Sequence, residues 1–162
     1  IKQQGSMTMK LELKNIKHSG WASEETYCYQ ASLYVDGKPV AFVSNDGHGG
    51  SDRRSPHSSF KGDYRAVMAE VHEYFTTLPV IPTPLFEQGF TQELESWCFD
   101  QVNDWLTARE LKRKLKKEFL FQFADKVGVF AHKTRPSLIA DKATILNDLP
   151  FDEALAIWKE TA

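Results

Sequence analysis

The sequence predicts an α+β fold, a small antiparallel sheet with an N-terminal hairpin packed against amphipathic helices. Three observations carry that prediction. YCYQASLYV and KPVAFVS flank the dipeptide Asp36-Gly37, a strong local signal for a hairpin. Tyr64, Val67, Met68, Val71, Tyr74, Phe75 and Leu78 recur at helical spacing, the mark of a helix with one buried face. The strand signals also cluster instead of alternating with helices, which favours an antiparallel sheet over βαβ units.

The first strand is expected from Met9 to about Ile16, where Leu11 and Leu13 alternate with Lys10, Glu12 and Lys14. In the hairpin, a type I′ turn at Asp36-Gly37 sets the register. It places Leu33 opposite Val40, Ala31 opposite Phe42, Tyr29 opposite Ser44 and Tyr34 opposite Pro39. Proline cannot donate to a ladder, so the start of the second hairpin strand belongs at an edge. A long polar loop, Ser44 to Asp63, follows, and then the Tyr64–Leu78 helix with Glu70 and Glu73 on its far side. LPVIPTP, with three prolines, reads as an extended connector.

Thr91 is the expected N-cap of a second helix whose stripe is Leu94, Cys98, Val102 and Trp105. That stripe fails at Arg109 and Lys112, and Thr107 with Glu110 forms a T-x-x-E box, so a kink or a new helix is expected over Ala108–Glu118. FLFQF and KVGVFAH read as a second hairpin around Asp125. A terminal helix is expected over Pro150–Lys159 with Phe151, Leu155 and Trp158 inward. Leu33, Val40, Phe42, Val71, Phe75 and Trp105 are expected in one core.

The chain of 162 residues lies in the single-domain range, so residues 9–162 are expected to form one domain whose later part could pack as a subdomain. IKQQGS before Met7 reads as an expression remnant, with residues 1–8 a disordered start. Hydrophobic residues at 41% and aromatic residues at 12% supply a core and exclude wholesale disorder. The net charge of -2 excludes a global bias toward nucleic acid or membrane, so any charged partner must meet a local patch. Cys28 and Cys98 form no CxxC and no disulfide framework, which points to a cytoplasmic setting. Each reads as a small buried hydrophobe. No apolar run spans a bilayer.

KLELKNIKHSGWASEETYCYQASLYVDGKPVAFVSNDGHGGSD resembles an uncharacterised group of small bacterial, phage and plasmid proteins. In them a SEET-type segment precedes a DGK hairpin and an NDGHGG loop. The likeness covers about the first third of the chain, with an echo in TILND near Thr144–Asp148. It implies a prokaryotic, phage or mobile-element origin and transfers no catalytic residue. Arg53 to Pro56 lies outside it.

The glycine-rich loop is the leading candidate site. Gly47, Gly49 and Gly50 permit positive φ and close approach, while Asp46, His48, Asp52, Arg53 and Arg54 supply polar handles. Consecutive backbone N–H groups could form an anion nest with the two arginines as charge partners. GHGGSD is neither GxGxxG nor GxxxxGK[ST], however, and a tight multiple turn explains it equally. Asp46, His48 and Asp52 could instead hold a divalent metal with His57 or His72, although no metal-binding spacing is present and Asp and His also favour turns. His72 reads as a boundary histidine bonded to a neighbouring loop. Arg109, Lys112, Arg113, Lys114, Lys116 and Lys117 form the densest basic run. They are candidate nucleic-acid contacts, with a solvated helix face as the commoner explanation.

From these features the chain is expected to be a small cytoplasmic binding protein, without cofactor, acting on a host macromolecular partner, with an inhibitory or anti-defence role. The alternatives are a small metal-assisted hydrolase or transferase centred on the loop, and a nucleic-acid-binding accessory protein.

Overall fold

A computed structural model of the chain describes residues 8–136 and 142–161. The leading segment 1–7 lies outside the described residues. Strands and helices are mixed, and every strand pair is antiparallel, so the fold is α+β. Two compact units divide the chain, Ile1–Val102 and Asn103–Ala162.

The first unit is built on a four-stranded sheet in the order β1-β2-β3-β4: β1 Leu11–Ser19, β2 Cys28–Val35, β3 Lys38–Asp46 and β4 Arg53–Pro56. Asp36 and Gly37 both take positive φ, 49° and 81°, the backbone a type I′ turn requires. Tyr34 faces Pro39 as expected, but the ladder slips by one residue there. Leu33 therefore pairs with Ala41, Ala31 with Val43 and Tyr29 with Asn45. A bulge at Val40 causes the slip, and a one-residue slip exchanges the two faces of a strand. Ala41, Val43 and Asn45 consequently point inward, and Phe42 lies outside, 42% exposed and stacked on His57 with ring centroids 4.3 Å apart. Pro39 lies beyond the stretch of β3 that β4 pairs, Ala41–Ser44, so its missing N–H costs no ladder bond on that side.

β4 arises inside the segment read as a loop. All four of its residues are exposed, so it lacks the apolar alternation that marks a strand in sequence. After it, α1 spans Tyr64–Thr77, opened by Asp63, whose side chain accepts from the Ala66 N–H. α1 packs on β3, burying Val71 and Phe75. These two join Leu33, Val40, Val43, Leu94, Cys98 and Val102 in the core. Full burial of a side chain such as Leu33 contributes about 1.5–3 kcal/mol. The expected proline-rich connector contains a short hairpin, β5 Ile81–Thr83 with β6 Phe86–Phe90.

α2 runs unbroken from Leu94 to Lys117, later than a Thr91 cap would place it and without the expected break at Ala108. Thr107 caps nothing, since its hydroxyl donates back to the Asn103 carbonyl. The apolar stripe changes because Leu94, Cys98 and Val102 serve the core of the first unit while Leu111 serves that of the second.

In the second unit, β7 Phe119–Phe123 lies between β8 Phe130–His132 and β9 Ala143–Ile145. A 3-10 turn, Leu146–Asp148, leads to α3, Phe151–Thr161. Leu111, Leu120, Leu146 and Ala154 form the buried centre, with Phe151, Leu155 and Trp158 packed against it. Trp105 falls in this unit and Leu33 in the first. No described helix is long and apolar enough to cross a membrane.

Candidate functional site

At the open end of the β2–β3 hairpin the chain leaves both strands in tight loops, and these loops interlock. Gly47, at φ +87°, turns its carbonyl toward the β1–β2 connection. There three successive N–H groups, from Glu24, Glu25 and Thr26, donate to it at 3.1, 2.9 and 3.3 Å. Backbone amides arranged this way form a nest for an anion. Here a peptide carbonyl occupies that position, and the N–H groups of Gly47 and Gly49 are themselves engaged by Asn45 and Thr26. An added Cβ on Gly47 would stand 2.1 Å from the Ala22 carbonyl oxygen, so the close approach requires glycine.

Asn45 holds the interlock from below. It is 7% exposed and uses its full hydrogen-bonding capacity. Its Oδ1 accepts from the Thr26 hydroxyl at 2.7 Å and the Gly47 N–H at 2.9 Å. Its Nδ2 donates to the Gly50 carbonyl at 2.8 Å and to Asp52 Oδ1 at 3.0 Å. Asp52 Oδ2 accepts from the buried Tyr29 hydroxyl at 2.6 Å, and the Asp52 N–H donates to Glu95 at 3.2 Å. The Gly49 N–H donates to the Thr26 hydroxyl at 3.3 Å. SEET and NDGHGG are thus two halves of one structure.

Burial raises the Tyr29 phenol well above its usual value, with help from the neighbouring Cys98 and Asp52. Burial, followed by the charge of Asp52, pushes the Cys98 thiol up to about 12. Both groups hold their protons at neutral pH, which leaves Cys98 a poor nucleophile.

The expected site residues meet different fates. Asp46 forms an ion pair with Arg53 at 2.8 Å, His48 contacts Glu24 at 3.2 Å, and Asp52 belongs to the Tyr29–Asn45 network. The three therefore point to three different partners, and among the described residues no group of three or more His, Cys, Asp or Glu could hold a metal ion. His57 accepts from Ser59 and lies against Phe42. His72 is exposed on α1, beside a cavity of about 280 Å³ that Arg54 also lines. Arg53 is thus neutralised, and Arg54 belongs to the α1 side of the sheet.

Sequence reasoning missed Asn45, Thr26, Tyr29 and Trp21. Asn45 carried a usable signal, a polar residue at an inward position, but only once the register is read with the bulge. Around the interlock the surface is aromatic and acidic. Trp21 is 92% exposed in the connection that meets Gly47. Tyr27 stacks on Phe99, itself 49% exposed, at 4.8 Å, and Glu24 and Glu25 are exposed beside them.

The basic run lies wholly within α2, at its C-terminal end. Arg109, Lys112, Arg113, Lys116 and Lys117 are exposed, whereas Lys114 is half-buried with its ammonium 5.7 Å from the Trp158 ring. Comparison with protein-family models, curated proteins and solved structures finds no match.

Proposed function

We propose that the chain is a binding protein that docks a host protein through the interlocked loops at the open end of its hairpin. The observation that carries this reading is Trp21, 92% exposed in the connection whose residues 24–26 grip the Gly47 carbonyl. A large exposed aromatic is a frequent hot-spot anchor, and a pre-ordered loop loses little entropy on binding. The same connection carries the exposed carboxylates of Glu24 and Glu25 and the Tyr27 ring that stacks on Phe99, so the favoured partner presents an apolar pocket with a basic rim. Gly49, Gly50 and His48 supply the adjoining edge, while Arg53, paired to Asp46, supplies shape and little charge. The resemblance to phage and plasmid proteins supports a role against a host factor, by occupying that factor's surface.

The test is capture from host lysate by the full chain and by two variants, Trp21→Ser and Leu85→Ser. Leu85 is 81% exposed in the β5–β6 turn and serves as a control. The same protein should be captured by the wild type and by Leu85→Ser and lost with Trp21→Ser. Undiminished capture by Trp21→Ser removes the docking reading.

A further inference from the structure

The second half of α2 carries a face made of cations. Arg109, Lys112, Arg113, Lys116 and Lys117 follow one another at steps of three and one, which on a helix makes a single stripe. The stripe lies opposite Leu111, which is fully buried, and all five residues are exposed. Glu110 sits at its edge and pairs with none of them. Arg109 lies over the Trp105 ring at 5.2 Å and Lys112 over Phe151 at 4.9 Å, contacts that fix the charges without neutralising them. Arg113, Lys116 and Lys117 have no ion pair among the described residues; the pairs of this unit are Arg135–Asp148 and Lys159–Asp104. Arg113, Lys114 and Lys117 also line a surface depression of about 180 Å³ bounded by Glu118.

We propose that this face binds the phosphate backbone of duplex DNA without reading its sequence. A solvated helix face that serves only solubility usually mixes both signs at i,i+4 spacing, whereas this one places five cations across the nine residues 109–117 with Glu110 only at its edge. At 1.5 Å per residue the stripe is about 12 Å long, close to the width of the major groove that admits a helix. Its lysines and arginines position a backbone, and it lacks the Asn and Gln side chains that read adenine. A membrane surface fits less well, because the neighbouring Leu111 and Leu115 belong to the core and leave no apolar flank to insert. Single strands fit less well too, since the stripe offers no exposed aromatic platform for bases. Charge is also unevenly divided: Asn103–Ala162 holds 11 Lys and Arg against 9 Asp and Glu, while Ile1–Val102 holds 9 against 13. A polyanion is thus repelled by one unit and attracted to the other.

Fluorescence anisotropy of a labelled 25-base-pair duplex, titrated with the full chain at several NaCl concentrations, tests the proposal. Five phosphate contacts give a slope of log K against log salt of about −4.5, so affinity should fall about 500-fold between 50 and 200 mM. The triple variant Arg113→Gln/Lys116→Gln/Lys117→Gln, checked for an unchanged circular dichroism spectrum, should bind more weakly with a slope shallower by about three. Trp21→Ser should bind as the wild type does, which separates this proposal from the docking reading. The proposal is overturned by absence of binding at 50 mM, by a slope shallower than about −2, or by an unaffected triple variant. Equal or tighter binding to single-stranded DNA, duplex RNA or phosphatidylserine vesicles also overturns it.

Discussion

Replacing Gly47 with alanine isolates the interlock. Gly47 sits at φ +87°, a region that costs an L-residue about 1–2 kcal/mol. The new methyl would also stand 2.1 Å from the Ala22 carbonyl oxygen and 3.0 Å from Cys28 Cβ, so backbone must move. That movement weakens the three N–H bonds to the Gly47 carbonyl, each worth about 1 kcal/mol. The expected loss is about 3 kcal/mol, which for a chain of this length lowers Tm by about 6–12 °C. Two neighbours calibrate the result. Gly49, at φ +84°, meets only the flexible Glu25 side chain, and its alanine variant should lose about 1–2 kcal/mol. Gly50 has a non-positive φ and open space around it, and Gly50→Ala should be neutral or slightly stabilising. The assays are urea denaturation and amide exchange, with the Glu24, Glu25 and Thr26 amides losing protection only in Gly47→Ala and, less, in Gly49→Ala. Equal stability in all three variants, or unchanged protection of those amides in Gly47→Ala, refutes the interlock.

Two further outcomes follow. Asn147 donates to the carbonyls of Leu115 and Glu118 at 3.1 and 2.9 Å and accepts the Leu120 N–H at 2.9 Å, joining the end of α2 to β7. Asn147→Ala should cost about 2–3 kcal/mol by urea midpoint at unchanged m; a shift too small to measure would show that these bonds form equally well to water. Alkaline pH should destabilise the chain from about pH 9. The unfolded thiol and phenol then lose protons that native Cys98 and Tyr29 keep, so the unfolded state binds fewer protons and stability falls by up to about 1.4 kcal/mol per pH unit for each group. For Cys98 that fall continues toward about pH 12. Cys98→Ala, weaker at neutral pH, should show a shallower decline above pH 9 in urea titrations at pH 8 to 10.5, and parallel declines would count against the assignment.

Where side chains alternate strongly, the sequence disclosed the structure. The Asp36-Gly37 hairpin, α1, the FLFQF hairpin and α3 all stand where periodicity and turn chemistry place them. The failures share a cause, which is that non-local contacts decide them. The bulge at Val40 moves Phe42 out and Asn45 in, and no local signal announces it. β4, exposed at all four positions, exists only because β3 offers it a partner. α2 looks interrupted because one helix supplies side chains to two cores. Its basic residues were legible as a run on an expected helix, but the exclusion of Lys114 from the exposed stripe depends on Trp158, more than forty residues later. The glycine loop was recognised as special, yet its meaning lay in Glu24 to Thr26, about twenty residues earlier.

A two-stranded ribbon ordinarily frays from its free end, because the turn closes only the other. In this chain the free end of the Cys28–Asp46 pair is stitched shut by the amides of residues 24–26 gripping Gly47. The ribbon therefore has no loose end from which to unzip. Pulled apart at Thr26 and Gly47, it would rupture in one event and not peel residue by residue, since the last rung is also among the most heavily bonded.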